Sequence, residues 1–275
     1  MKKTRKFPFR LILQIFFLCL VFVLVRGRQA GLTFVNQVSL HSICPFGGVE
    51  SIYQFFAQGN LVRQVHNSAV VLMFIVIGLS ILFGAVFCGW ICPLGTVQEL
   101  FGKIGRKILG KRYNNLIPHR LDRVLRYLRY VFMALVLYAT AVAAELVFQG
   151  YDPYYALVHM FSSGVAVAAY VILAIVLALS LIMERPFCKY ACPYGAFIGL
   201  FNLIRIFRIY RTEETCIMCG LCDKSCPMNI KVSEKTAVRN HQCITCMKCT
   251  SEMACPQKNT VSLAASKVGV SKDED

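Results

Sequence analysis

Twelve of the fourteen cysteines in this chain stand in repeated spacings. Two nine-residue stretches nearly repeat: FCGWICPLG at Phe87–Gly95 and FCKYACPYG at Phe187–Gly195. In each, two cysteines lie four positions apart, a proline follows the second, and a glycine comes two residues later. On a helix, positions i and i+4 share one face, so Cys88 with Cys92, and Cys188 with Cys192, each form a two-thiolate clamp. Two such clamps brought together supply four thiolates, which suit an iron–sulfur cluster or a soft ion such as Cu(I). Pro93 and Pro193 interrupt helical bonding beside the pair and free backbone N–H groups that can point at sulfur. Buried cysteine also serves as a small inert hydrophobe; the repetition in one context favours ligation.

A second group of cysteines follows Arg211. CIMCGLCDKSCP carries Cys216, Cys219, Cys222 and Cys226, and CITCMKCTSEMACP carries Cys243, Cys246, Cys249 and Cys255. The first run matches the C-x2-C-x2-C-x3-C-P pattern of two-cluster bacterial ferredoxins. The second places five residues before its last cysteine instead of three. By that resemblance Cys216, Cys219, Cys222 and Cys255 hold one [4Fe-4S] cluster, and Cys226, Cys243, Cys246 and Cys249 hold the other. Four-cysteine zinc sites also use C-x2-C pairs, but they need no third cysteine at a further step and no following proline. A module of about 50 residues is too short to build a sizeable core, so ligation must supply much of its stability.

The rest of the chain must position these groups. It has 275 residues, is 57% hydrophobic, and carries a formal charge of +16. That composition points to a membrane protein rather than a soluble domain. The positive charge is clustered between apolar runs, so it reads as topology and not as nucleic-acid binding. Four runs reach the roughly 20 residues a span needs: Phe7–Val25, Ala69–Phe87, Tyr130–Phe148 and Gly164–Met183. Arg10 and Gln14 interrupt the first. MKKTRK is a suitable n-region for a signal peptide, but VRGRQAG offers no small-x-small cleavage site, so an uncleaved anchor is expected. Lys and Arg number five over 1–12, nine over 99–129 and five over 184–211. Only Arg26, Arg28 and Arg63 fall in 26–66, and none in 149–163. The positive-inside rule then puts both termini in the cytoplasm and both cysteine pairs at cytoplasmic ends of spans.

After each pair comes an amphipathic segment with apolar residues at helical spacing: Leu94, Val97, Phe101, Ile104 and Ile108 in the first, Phe197, Phe201, Ile204 and Phe207 in the second. Each reads as a helix lying on the inner leaflet or packed in the cytoplasm. The pattern of span, outer loop, span, cysteine pair and helix occurs twice, offset by 100 residues at the cysteines. Repeats of this kind pack about a pseudo-symmetry axis with function at their interface. The expected fold class is therefore mostly α. A four-helix transmembrane domain built from a tandem repeat occupies 1–211, with repeats of about 1–112 and 120–211. A small cytoplasmic α+β two-cluster ferredoxin-like module occupies 212–262, and a disordered tail 263–275. His66 and His159, before the second and fourth spans, are weak candidates for holding haem or contacting quinone. Cys44 in the first outer loop is a weak candidate for redox contact with a partner. Glu145 lies near a membrane end, and Cys19 is expected to pack within the first span. No phosphate-binding loop or hydrolase constellation is visible.

Paired C-x3-C-P motifs after membrane spans, followed by a ferredoxin module, resemble the membrane polyferredoxins. That group includes NapH-like quinol dehydrogenase components, the nitrous-oxide-reductase regulators and a copper-accessory protein of one cytochrome oxidase type. The resemblance runs from the first span to Cys255, without the regulators' flavin-carrying outer domain. It implies an inner-membrane, multi-pass electron-transfer protein. The donor would be quinone or a cytoplasmic ferredoxin or flavoprotein, and the acceptor a membrane or extracytoplasmic reductase or flavoprotein. Besides two [4Fe-4S] clusters it implies a third cluster or metal at the paired cysteines. The clusters lie on one side of a bilayer core about 30 Å thick, so a quinone, a bound flavin or haem, or a partner's cofactor must cover the rest. Copper reduction and handling, and redox sensing for a partner, are the alternative functions.

Overall fold

A computed structural model describes residues 8–29, 67–114, 116–143, 147–160, 165–257 and 259–265. Cys44, His66, Glu145 and the tail from 266 lie outside the described residues. The chain is mostly helical. Helix α1 spans Pro8–Gln29 and α2 Asn67–Phe83; a single π-helical turn, Phe87–Ile91, leads into α3, Pro93–Leu109. Then come α4 (His119–Leu125), α5 (Leu128–Ala143), α6 (Pro153–Val158) and α7 (Val167–Ser180). A short α8 (Pro186–Tyr190) and α9 (Pro193–Ile204) repeat the turn-and-helix pattern. Strand β1 (Arg208–Arg211), helix α10 (Leu221–Ser225) and β2 (Val261–Ala264) belong to the cysteine-rich module.

The two halves pack in equivalent ways. Helix α3 rests on α1 of its own half and on α7 of the other; α9 rests on α5 of its own half and on α2 of the other. Each helix that follows a cysteine motif therefore ties the repeats together. Ser80 and Ser180 each bond the carbonyl four residues back, Val76 and Val176, at 2.7 Å, which satisfies a hydroxyl in an apolar interior. Gly105 marks the closest crossing of α3 and α7. A Cβ there would stand 2.0 Å from the Leu181 carbonyl oxygen.

The helix faces are sorted opposite to a water-soluble bundle. Phe9, Ile12 and Phe16 on α1, Val71, Phe74 and Ile75 on α2, Val131 and Leu135 on α5, and Val171 and Ile175 on α7 are all exposed. Arg10, Gln14, Ser80, Thr140 and Ser180 are buried. Continuous apolar stripes of this extent need a non-aqueous neighbour. Among the described residues, two helical stretches are long and apolar enough to cross a membrane, Phe9–Gly27 and Arg120–Val142. The second and fourth expected spans are shorter as helices: α2 has 17 residues and α7 has 14, about 26 and 21 Å at 1.5 Å per residue.

Two expectations change, and the two alternatives for α3 separate: Ile104 and Ile108 of its apolar series are exposed, as on a helix lying against a leaflet. Gly95, Thr96, Gln98, Glu99, Gly102 and Gly105 face inward. Small residues let the backbones approach, and Ile104 and Ile108 turn outward while Leu94 stays buried. The stretch 149–163 is not simply an outer loop, because α6 folds back against α7 and α3 and buries Pro153, Ala156, Leu157 and Val158. Cys19 is exposed on α1 rather than packed.

The module is closed by an antiparallel pair in which Arg208 faces Ala264 and Arg211 faces Val261. Its sheet thus begins four residues ahead of position 212. Ile209, Met228, Ile230, Val232, Val238, Ile244 and Val261 form its core together with Cys222, Cys243 and Cys249.

Candidate metal centre

The two C-x3-C-P motifs fold alike, but not as one continuous helix. The first cysteine sits in the short turn and the second caps the next helix. Cys92 N bonds Phe87 O at 3.0 Å, and Cys192 N bonds Phe187 O at 2.8 Å, an i to i−5 closure in both. Pro93 and Pro193 then occupy the first helical position, where a missing N–H costs nothing. The expected i,i+4 face is therefore corrected: each pair straddles a helix break. The break frees donors for sulfur, and Gly195 N donates to Cys192 Sγ at 3.2 Å.

Cys88, Cys92, Cys188 and Cys192 line a single cavity of about 70 Å³. Burial pushes the Cys92 thiol up to about 12, with Cys188 adding to the rise. The Cys88, Cys188 and Cys192 thiols are raised by the same burial. Four thiols in such a place become thiolates only if positive charge joins them, which is what a metal centre provides. Among the described residues no three Cys, His, Asp or Glu side chains converge closely enough to share one metal ion.

The cavity floor comes from the module. Met228, His241, Gln242 and Ile244 line it from below, and Phe148, Asp152 and Tyr154 line it from the folded-back segment. The loop 240–245 crosses both motifs. Gln242 Nε2 donates to Lys189 O at 3.0 Å, and Trp90 Nε1 donates to Thr245 O at 3.0 Å. Gly89 makes this possible, since a Cβ there would lie 2.3 Å from Ile244 O. Asn202 Nδ2 holds the same loop through Asn240 O and Cys243 O, and Arg129 Nη2 through His241 O.

A second cavity lies on the far side of that floor. Cys226, Cys243, Cys246 and Cys249 line it together, with Met228 and Ile244 shared between the two cavities. These four are the set that the ferredoxin spacing groups. Arg205 Nη1 donates to Cys243 Sγ at 3.3 Å, and Ile230 N to Cys226 Sγ at 3.4 Å. The other set differs in exposure: Cys222 is buried, Cys219 exposed, and Cys216 and Cys255 half-buried. Cys255 borders a wide groove with Phe9, Arg10 and Trp90. His159 is buried at the end of α6, its ring stacked on Tyr155 at 4.0 Å; it is not among the residues lining the cysteine cavity.

Several residues that the spacing did not single out organise the centre. Glu99 receives Arg10 at 2.7 Å, Arg185 at 2.8 Å and Lys248 at 3.1 Å, all buried. It thereby links α1, the second repeat and the module. Arg10 and Gln14 also donate to Gly89 O in the first motif, which explains two polar residues inside an apolar run. Gln98 Nε2 approaches Cys188 Sγ at 3.6 Å, across the repeat interface. Arg10 and Gln14 were the only visible signal for this network.

Comparison with known proteins agrees with the repeat. The model of the family described as "4Fe-4S binding domain" matches residues 65–112 and 165–209, each containing one C-x3-C-P motif. "Uncharacterized protein MJ0750" of Methanocaldococcus jannaschii is 32% identical over 230 residues, 83% of this chain and 91% of its own length. "Putative electron transport protein YccM" of Escherichia coli K12 is 31% identical over 234 residues, 83% of this chain, which spans 64% of that relative. "Ferredoxin-type protein NapH" of Haemophilus influenzae is 33% identical over 184 residues, 64% of this chain and 61% of its own. No solved structure matches.

Proposed function

The chain belongs to the NapH-like family of membrane polyferredoxins, iron–sulfur electron-transport proteins related to NosR, and from that premise we propose that it carries electrons between a quinone or cytoplasmic donor and a membrane or extracytoplasmic partner. The observation that carries this reading is the shared wall. The cavity of Cys88, Cys92, Cys188 and Cys192 and that of Cys226, Cys243, Cys246 and Cys249 have Met228 and Ile244 in common in their walls. Redox groups held in both would stand close together across these shared residues. Iron–sulfur clusters, when bound, supply one-electron carriers whose potentials follow their hydrogen bonds and surroundings. The chain holds the thiolates in place, lines the motif-cysteine cavity with the apolar Phe87, Phe187 and Leu94, and aims donors from Arg205, Gln98 and Gly195 at sulfur.

In this reading Cys216, Cys219, Cys222 and Cys255 hold the outer cluster and face the donor. The four motif cysteines share one further centre at the repeat interface. Helices α1, α2, α5 and α7 cross the membrane, which the apolar stripes on all four support, and the distribution of Lys and Arg puts both termini in the cytoplasm. The folded-back segment around α6 narrows the distance that a quinone, flavin or haem must cover. The test is anaerobic purification with metal analysis and electron paramagnetic resonance (EPR). Three cubanes require about twelve irons per chain and no copper. About eight irons with copper would instead establish a metal-handling protein.

A further inference from the structure

The surroundings of the two module cysteine sets carry opposite charge. Next to the inner set, Arg205 is fully buried and donates to Cys243 Sγ at 3.3 Å, to Thr245 Oγ1 at 3.0 Å and to Val238 O at 2.7 Å. Arg10 and Lys248 act on Cys246 as nearby positive charges. Next to the outer set the neighbour is a carboxylate. Asp223 Oδ1 lies 3.7 Å from Cys222 Sγ and is fixed there by Val232 N at 2.6 Å and Ser233 N at 2.8 Å.

From this asymmetry we infer that Arg205 makes the inner set, Cys226, Cys243, Cys246 and Cys249, the higher-potential site of the module, so that an added electron rests against the wall shared with the membrane cavity. The inference rests on the cluster reading proposed above. Reduction adds one negative charge to the group and makes or breaks no bond. A cation that donates to a ligand sulfur stabilises the reduced form, and a carboxylate beside a ligand destabilises it. Burial acts the other way, because the inner set has less water to stabilise added charge. Burial is not confined to the inner set, since Cys222 of the outer set is buried as Cys243 and Cys249 are, so the charged group in contact with a ligand sulfur is what distinguishes the two sets.

The test is a dithionite titration of the anaerobically purified whole protein, followed by EPR. Cys219→Ser, in the outer set, should remove or convert the signal with the lower midpoint; loss of the higher one overturns the order. Arg205→Gln should move only the higher midpoint downward, and Arg205→Lys, which keeps the charge, should move it less. Unchanged midpoints, or a shift of the lower one, overturn the role of Arg205. If Arg205→Gln yields no cluster-bearing protein, Asp223→Asn decides: the lower midpoint must rise, and its constancy overturns the electrostatic account. A wild-type protein without two module signals would overturn the cluster reading itself.

Discussion

Arg185 and Glu99 meet at 2.8 Å across the interface of the two repeats, and both side chains are buried. The same guanidinium donates to the carbonyl of Cys88 in the opposite motif. One residue thus joins the second repeat to the first cysteine turn and to the anion that gathers Arg10 and Lys248. Burial alone would raise the Glu99 carboxyl, but Arg185, Lys248 and Arg10 together hold it well below the carboxylate range.

Glu99→Gln should therefore destabilise the fold by roughly 3–5 kcal/mol, because it leaves three buried cations short of an anion. The folded pKa is depressed, so the stabilisation is fully present above the unfolded value, about 4.3, and is lost as pH falls through the folded one. Thermal melts in detergent from about pH 6 to about pH 3 should show a steep acid loss in the wild type and a shallower one in Glu99→Gln. Parallel slopes would refute the assignment.

The α3–α7 crossing gives a sharp contrast between two glycines. Gly105→Ala places a Cβ 2.0 Å from Leu181 O, whereas a Cβ at Gly78 on α2 meets nothing within 4 Å. Gly105→Ala should cost roughly 1–3 kcal/mol through overpacking. Gly78→Ala should be neutral or stabilising by up to about 1 kcal/mol. Equal melting temperatures for the two variants would contradict the close approach.

Cys88→Ala and Cys188→Ala should each abolish the same spectroscopic signal and lower iron content by the same amount, with both module signals intact. Their positions on one cavity, in different repeats, are the warrant. Two variants that keep full iron and electron transfer would show that the motif cysteines are structural.

A reporter fused after Asp275 should be active only in its cytoplasmic form. Nineteen Lys and Arg residues fall in the segments assigned inside and three in those assigned outside. Activity of a periplasmic reporter at that position would invert the proposed topology.

The cysteine groups, the offset of 100 residues between motifs and the apolar character of the chain were legible from sequence, because ligand spacing and turn chemistry are local. The proline after each second cysteine is local in the same way and marked an interruption of helical bonding, but that a new helix starts at it came only from the structure. What lay beyond reach was the partner of each buried polar group. Arg10 finds Glu99 at a separation of 89 residues, and Trp90 finds Thr245 at 155. Periodicity showed that α3 has two unlike faces but left open which one meets the protein interior. A stripe of apolar residues looks the same whether it meets lipid or protein, and only packing against α1 and α7 turned Gly95, Glu99, Gly102 and Gly105 inward. The return of α6 to the cysteine cavity, and the loop that crosses both motifs, depend on the same tertiary fit. Glycine at 89 and 105 removes the steric barrier there, and the buried ion pairs of Glu99 hold the surfaces together once they meet.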